Sequence, residues 1–264
     1  MSDTGISVLI AVFEADASIC RAVQSVLMHP MAEAVLAPDD GRTYAWVKGL
    51  FPQRVTVLEP TYRKGPGHAR NRAALHAKGQ YFTMLDSDDR FADQALHEAL
   101  DCAHASQPKV AFLRTQYVHA ESEELCRELP ARSRISLEDF VNFHGSVHAL
   151  YSRDKWRPYS DYRISQDVLH DAKLLIDSGG EAPLTRASYI QYLQIKSITA
   201  TTLQPEFNRE YAQVLSKEQH PAIIHLFQEK LRVGDLYMQE VLKRPDLIFH
   251  EFVRDGLMSP PPVA

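Results

Sequence analysis

The stretch ISVLIAVF, residues 6 to 13, is almost free of polar interruption and rich in β-branched side chains. Such a run predicts a strand buried on both faces, as in a parallel sheet covered by helices. ASICRAVQSVLMHP follows, with Ile19, Val23, Val26 and Leu27 at helical spacing and Pro30 closing the segment. EAVLAP predicts a second strand ending in the turn-forming DDGR, RVTVLEP a third, QYFTML a fourth and KVAFLRTQYVH a fifth. Helices are expected over ARNRAALHAKG and ADQALHEALDCAHA, the latter with Leu96, Ala99, Leu100 and Ala103 on one face. Strand and helix thus alternate through about the first 115 residues. That is the pattern of an α/β fold with a mostly parallel sheet flanked by helices.

After about residue 116 the texture changes. HAESEELCRELPARSR is polar and reads as loop. SLEDFVNF opens with a capping-box pattern from Ser136 to Asp139, HGSVHALYSRDKW reads as a strand and turn, and SQDVLHDAKLLIDSGG as a helix ending near Gly179. YIQYLQIKSITATT is strand-like. Beyond Pro205 the pattern is helical, with Ile223, Ile224, Phe227 and Leu231 on one stripe. The expected organisation is a first unit over residues 1–115, a second over 116–204 and a helical C-terminal extension over 205–264.

Hydrophobic residues make up 45% and charged residues 24% of the 264, ordinary for a soluble globular chain with ample core. A net charge of −5 argues against a general nucleic-acid binder, which would carry a basic excess. Cys20, Cys102 and Cys126 form neither a CxxC pair nor a disulfide framework, so a reducing, cytoplasmic setting is expected. The first apolar run covers eight residues and has no basic segment ahead of it. A membrane span needs roughly 20. Peripheral contact with the inner face of the cell membrane stays open, as does the oligomeric state.

In a parallel sheet of this kind, ligands bind beyond the carboxyl ends of the strands. Those ends carry Phe13 and Glu14, Asp39 and Asp40, the segment RKGPGHAR, and DSDD at residues 86 to 89. Mg²⁺ or Mn²⁺ takes one or two protein carboxylates and completes its shell with water and phosphate oxygens, a set that an Asp-x-Asp turn suits. A solvated acidic loop is the plain alternative. TYRKGPGHARNR gathers Arg63, Lys64, His68, Arg70 and Arg72 at a helix start, where phosphate is favoured. A cation site beside an anion-favouring site suggests a metal-bound diphosphate. GPGHAR also resembles part of a dinucleotide fingerprint, but its sixth position is Arg70 and it follows the third strand. No zinc spacing, Gly-x-Ser-x-Gly or Walker-type loop is present.

Taken in order, ISVLIAVFEADASICRAVQSVL, APDDG and GPGHARNRAALHAKGQYFTMLDSDDRF resemble the nucleotide-binding half of an inverting family 2 glycosyltransferase with the GT-A fold. The resemblance is close over about residues 5–92 and looser to about 200. It implies that Ala11, Phe13 and Glu14 at the first strand end hold the nucleobase, that Asp40 beside Asp39 reads it, and that Arg70 belongs to the donor site. It maps the acidic motif onto Asp86, Ser87 and Asp88. Asp88 becomes the metal ligand with Asp89 as its rival, and Asp86 orients the ribose or an inner water. Ala11, Glu14 and Arg42 depart from the family pattern, which leaves base and sugar open.

The resemblance also places the family's Glu-Asp pair on Gln166 and Asp167. Asp167 is then the base that takes the proton from the acceptor hydroxyl, with Asp171 one turn on as the alternative. An Asp in a helix's first turn also stabilises the helix dipole without any catalysis. Lys196 lies where related enzymes close a basic group over the diphosphate. The implied protein uses Mn²⁺ or Mg²⁺ to move a sugar from a nucleotide-sugar donor, most simply a UDP-sugar. Its acceptor would be a hydroxyl of a glycan or lipid-linked glycan in surface polysaccharide synthesis. Two other classes stay in contention: a nucleotide-binding module without catalysis, and a dinucleotide-dependent oxidoreductase built on GPGHAR.

Overall fold

The computed structural model describes residues 5–145, 147–193 and 204–256. Its strands are β1 (Ile6–Val12), β2 (Ala32–Pro38), β3 (Val55–Val57), β4 (Tyr81–Asp86), β5 (Arg90–Phe91), β6 (Val110–His119), β7 (Leu125–Glu128), β8 (Arg134–Ser136), β9 (His148–Ser152) and β10 (Glu181–Leu193). Its helices are α1 (Ile19–Leu27), α2 (Ala45–Leu50), α3 (Pro66–His76), α4 (Ala95–Ala105), α5 (Leu137–Asn142), α6 (Gln166–Asp177), α7 (Gln204–Lys217), α8 (Pro221–Val241) and α9 (Phe249–Arg254). The sheet runs β3-β2-β1-β4-β9-β6-β10-β5, with β7 beside β6 and β8 beside β10. β3, β2, β1 and β4 are parallel. β9 enters antiparallel between β4 and β6, and β10 lies parallel to β6.

The apolar run at the start of the chain is the central strand because both its faces are covered. Ile6, Val8, Ile10 and Val12 pack with Ile19, Val23 and Val26 of α1 and with Leu96 and Ala99 of α4. Leu9 faces the other way, onto Ala69 and Ala73 of α3. This second core continues through Phe140 of α5, Val168 and Leu169 of α6, and Tyr211, Val214, Ile223, Leu226 and Phe227 of the C-terminal helices. The hairpin of α7 and α8 is therefore packed against the body of the protein. No helix among the described residues is long and apolar enough to cross a membrane.

One expectation is corrected. HAESEELCRELPARSR, read as loop, supplies β7, which pairs antiparallel with β6, and its neighbourhood supplies β8 against β10. Cys126 is the one buried position of β7, too little to register as a strand pattern. The change of texture near residue 116 falls inside β6, and β9 and β10 return to the same sheet. The short helix α2 was not expected.

α3 is the element that carries the basic motif, and two glycines set its place. Gly65, at the N-cap, has φ +98°, a conformation that side chains with a Cβ disfavour. Its N–H and that of Lys64 donate to the buried carboxylate of Asp39 at 2.7 and 2.9 Å. Gly67 lies against the chain at Ser160: a Cβ there would stand 2.3 Å from the Ser160 carbonyl oxygen. Asn71, one turn on, seals the contact. Its Nδ2 donates to the Tyr159 carbonyl at 2.9 Å, and its Oδ1 accepts the Tyr159 N–H at 2.7 Å. Gly67→Ala should lower the unfolding free energy by about 1–3 kcal/mol, since backbone must shift to admit the methyl. The gain in helix propensity, about 1 kcal/mol, is smaller. Urea denaturation checks this, and a midpoint unchanged from wild type would contradict the close packing.

Candidate active site

Parallel register sets Ala11 between Ala37 on one side and Asp86 on the other. β4 ends at Asp86, and the chain turns through the buried Ser87 and the half-buried Asp88, with the Asp89 N–H donating to the Asp86 carbonyl at 3.1 Å. Arg70, reaching across from α3, is 1% exposed and donates from Nη2 to Asp86 Oδ1. Burial by itself lowers an arginine's pKa; Asp86 and, beyond it, Asp167 more than reverse this and hold the guanidinium charged. Its Nε and Nη1 are buried without a hydrogen-bond partner among the described residues.

The aspartates of the turn have different surroundings. Burial, and then the charge of Asp86, push the Asp88 carboxyl up to about 6, against a smaller pull from Arg21. Arg21 itself stacks over the Tyr192 ring at 3.7 Å and donates to the Asp88 carbonyl at 2.5 Å. Asp89, named above as the rival to Asp88 for the metal, turns inward. It is 2% exposed, and its oxygens accept from the Tyr189 hydroxyl at 2.6 Å and the Tyr192 N–H at 2.8 Å. Tyr189 also accepts the Asp86 N–H at 3.1 Å. Asp89 therefore pins the acidic turn to β10, and its buried carboxyl is pushed well above the usual range.

At the neighbouring strand ends, the acidic pair is likewise engaged by the fold. Asp39 accepts from Thr61 Oγ1 as well as from the two amides before α3, so the anion at that helix start is the protein's own. Asp40, expected to read the base, accepts from the Glu14 N–H at 2.9 Å, the Arg42 N–H at 3.0 Å and the Tyr44 hydroxyl at 2.8 Å. Its side chain is 3% exposed. The carboxylate ties the first strand end to the second and keeps little acceptor capacity for a ligand. Arg72 is turned onto the Glu59 and Pro38 carbonyls and Thr61 Oγ1. Phe13 and Tyr62, by contrast, are exposed rings, with the Arg63 guanidinium 5.9 and 5.5 Å from their centroids. Glu14 has φ 49° and points its side chain to solvent.

On the acceptor side, Asp167 lies in the first turn of α6, half-buried, with Gln166 Nε2 at 3.5 Å. Its charge acts on Arg70, Tyr159, Tyr211 and Lys230. Asp167, 81 positions from Asp86 in sequence, is near enough in the fold for its charge to act on Arg70. Asp171, the alternative base, is 2% exposed between His148 Nδ1 at 3.6 Å and His170 Nδ1 at 3.3 Å. Burial raises its pKa, but the two histidines outweigh that and hold it below the usual range. It is enclosed and offers no surface to an acceptor. Lys196 lies outside the described residues.

No group of three or more His, Cys, Asp or Glu side chains among the described residues is arranged to hold a metal alone. A site built from one or two carboxylates plus diphosphate oxygens needs no such group, and the crowding of Asp86 and Asp88 is the kind that a cation relieves. Several residues of this region were not singled out in the sequence: Arg21, Asn71, Tyr159, Tyr189, Tyr192, Tyr211 and Lys230. Lys230 did leave a signal. It stands three positions after Phe227 and four after Leu226, on the apolar stripe of α8.

The sequence pattern described as Glycosyl transferase family 2 matches residues 7–154. The chain is 25% identical to the succinoglycan biosynthesis protein ExoO of Rhizobium meliloti (strain 1021) over 217 residues, 74% of this chain and 62% of the relative. Over 88 residues it is 31% identical to the UDP-Glc:alpha-D-GlcNAc-diphosphoundecaprenol beta-1,3-glucosyltransferase WfaP of Escherichia coli, covering 32% of this chain and 35% of the relative. The chain thus spans less than two thirds of the length of these relatives. Residues 1–349 of S. aureus TarS in complex with UDP-GlcNAc share its fold, with a TM-score of 0.63 at 13% identity over 96% of this chain and 80% of that TarS segment. The mannosyltransferase PcManGT of Pyrobaculum calidifontis, solved with GDP-Man and Mn²⁺, aligns with a TM-score of 0.59 at 14% identity over 95% and 79%. With the family pattern covering more than half of its length, the chain belongs to glycosyl transferase family 2.

Proposed function

We propose that the protein transfers a sugar, with inversion, from a UDP-sugar to a hydroxyl of a lipid-linked glycan during surface polysaccharide synthesis. The observation that carries the reading is the meeting of Arg70, Asp86 and Asp167 at the carboxyl edge of the parallel strands, beside Asp88. The names of the relatives support the donor and acceptor classes: WfaP is named for UDP-glucose and a diphosphoundecaprenol-linked sugar, and ExoO for succinoglycan.

In this reading the base stacks on Phe13 beside Arg63, whose ring and guanidinium are exposed. Ala11, with the smallest side chain that leaves a Cβ, keeps the strand end open next to Asp86. Asp88 would hold Mn²⁺ or Mg²⁺ together with the donor diphosphate. A bound cation stabilises the charge that develops on the departing nucleoside diphosphate. Arg70 keeps Asp86 fixed, and Asp86 orients the ribose. Asp167 takes the proton of the acceptor hydroxyl as its oxygen attacks the anomeric carbon from the face opposite the leaving group. One displacement inverts that carbon.

Four outcomes are expected. UDP should raise the melting temperature in the presence of Mn²⁺ by more than GDP does, through preferential binding to the native state. Asp88→Asn should abolish the Mn²⁺-dependent part of that shift. In metal-free buffer the same variant has a signed effect on stability. The folded carboxyl, at about 6, binds its proton more tightly than the ordinary 3.8 of an unfolded chain, so ionisation burdens the native state above about pH 6. Asp88→Asn should therefore be more stable than wild type near pH 8 and equal to it near pH 4, measured by urea midpoints. Asp167→Asn should leave UDP binding intact and lower kcat about 10²- to 10⁴-fold. Full turnover in that variant removes Asp167 as base, and UDP binding with no sugar ever released or transferred leaves a nucleotide-binding module.

A further inference from the structure

A cavity of about 380 Å³ opens among β5, β6 and β10, and the side chains of Arg90, Arg114 and Arg186 line it. Register fixes its height on the sheet. β4 and β6 both run antiparallel to β9, where Phe82 and Val110 flank Tyr151. Four residues further along these two strands stand Asp86 and Arg114, and Arg114 pairs with Ser188 of β10. The cavity is therefore level with the acidic turn, at the same carboxyl edge. By strand alternation Arg114 shares the face of Phe112, whose core includes Val168 and Leu169 of α6, the helix that carries Asp167. A link to the turn runs through Tyr192. Its hydroxyl accepts from Arg90 Nε at 3.1 Å, and its ring lies under Arg21, which donates to the Asp88 carbonyl.

The positive charge of this cavity is only partly balanced. Arg114 Nη2 pairs with Glu128 at 2.7 Å. Arg90 and Arg186 have no carboxylate partner among the described residues: Arg90 donates to the Tyr192 hydroxyl and the Phe91 carbonyl, and Arg186 is exposed. Asp93, the one acid of the lining, is exposed as well. Two buried donors add to the surplus. Ser188, 2% exposed, lines the cavity, and its Oγ has no hydrogen-bond partner among the described residues. The same holds for the buried Nε of Arg114. Such groups cost free energy unless a ligand or water answers them. Guanidinium forks match phosphate and carboxylate oxygens in geometry as well as in charge. We propose that this cavity seats a negatively charged group of the acceptor, a phosphate or a carboxylate, beside the acidic turn. The proposal rests on the reading of the chain as a transferase acting on a lipid-linked glycan, and it adds that the acceptor is held by charge.

Binding to the whole chain tests it, with UDP and Mg²⁺ at saturation so that the donor's diphosphate position is filled. The probes are methyl diphosphate, for the head of a lipid-linked acceptor, and methyl glucuronoside, for an acidic sugar. Neutral methyl glucoside is the control. NMR of the arginine Nε–H groups is assigned by the signals lost in Arg90→Gln and in Arg186→Gln. The signals of Arg90 and Arg186 should move saturably with at least one charged probe and stay still with methyl glucoside. The probe that binds tells which source supplies the charge. Each substitution should weaken that probe about tenfold, the loss of one charge-assisted hydrogen bond. Arg186 is exposed, so its substitution is the one least able to disturb the fold, and an unchanged urea midpoint checks this. Signals that do not move, an equal response to methyl glucoside, undiminished affinity in both variants, or displacement of UDP by the probe overturns the proposal. If UDP with Mn²⁺ leaves the melting temperature unchanged, the donor reading fails and this inference with it. If UDP binds and neither charged probe does, only the role of the cavity falls.

Discussion

A guanidinium buried to 1% exposure holds this site together. Arg70 belongs to α3, its partner Asp86 ends β4, and the second carboxylate that sustains its charge comes from α6. Each of those elements is set by different packing, and the ion pair is where they meet. Removing Asp86, whose side chain is 39% exposed, would leave the buried guanidinium without the charge nearest to it. The rest of the geometry follows from keeping Arg70 in place: Gly67 lets α3 lie against Ser160, and Asn71 fixes Tyr159, whose ring is 5.7 Å from the guanidinium carbon.

Around that pair, carboxylates of one chemical type have been divided by environment. Asp39 and Asp40 are satisfied by loop amides and hydroxyls, and they shape the strand ends. Asp89 is buried against two tyrosines of β10. Asp171 is enclosed by two histidines, one of which stacks on Tyr159 at 4.1 Å. Asp88 is half-buried, and burial with the charge of Asp86 pushes its carboxyl up to about 6. Each acid that the fold has already satisfied narrows the set left for a ligand. The carboxylates that accept hydrogen bonds from neighbouring loops and strands build the frame of the site.

The C-terminal region takes part in the same division. Its apolar stripe explains why the hairpin packs, but a stripe does not explain Glu210 on the amides before α6 or Lys230 among leucines and phenylalanines. Those polar groups give the hairpin one register against α6. The hairpin, like α6 and β10, lies beyond the residues matched by the family pattern.

The order of elements was legible in the sequence because it depends on short-range period and on turn chemistry. β1 reads as a strand from eight apolar residues, the Ser136 cap from a three-residue spacing, and the acidic and basic strand ends from residue type. β7 was lost because one buried cysteine makes no period. Which carboxylate faces a ligand could not be read, since DSDD gives Asp86, Asp88 and Asp89 the same local signature. Only the return of Tyr189 and Tyr192, about a hundred residues later, turns Asp89 inward. Likewise, Asp40 looks like a free acid until Tyr44 and the amides of Glu14 and Arg42 close on it. Local pattern decided what each segment is. The pairing of charges between segments, which depends on distance and lost water rather than on sequence spacing, was decided only when the chain folded.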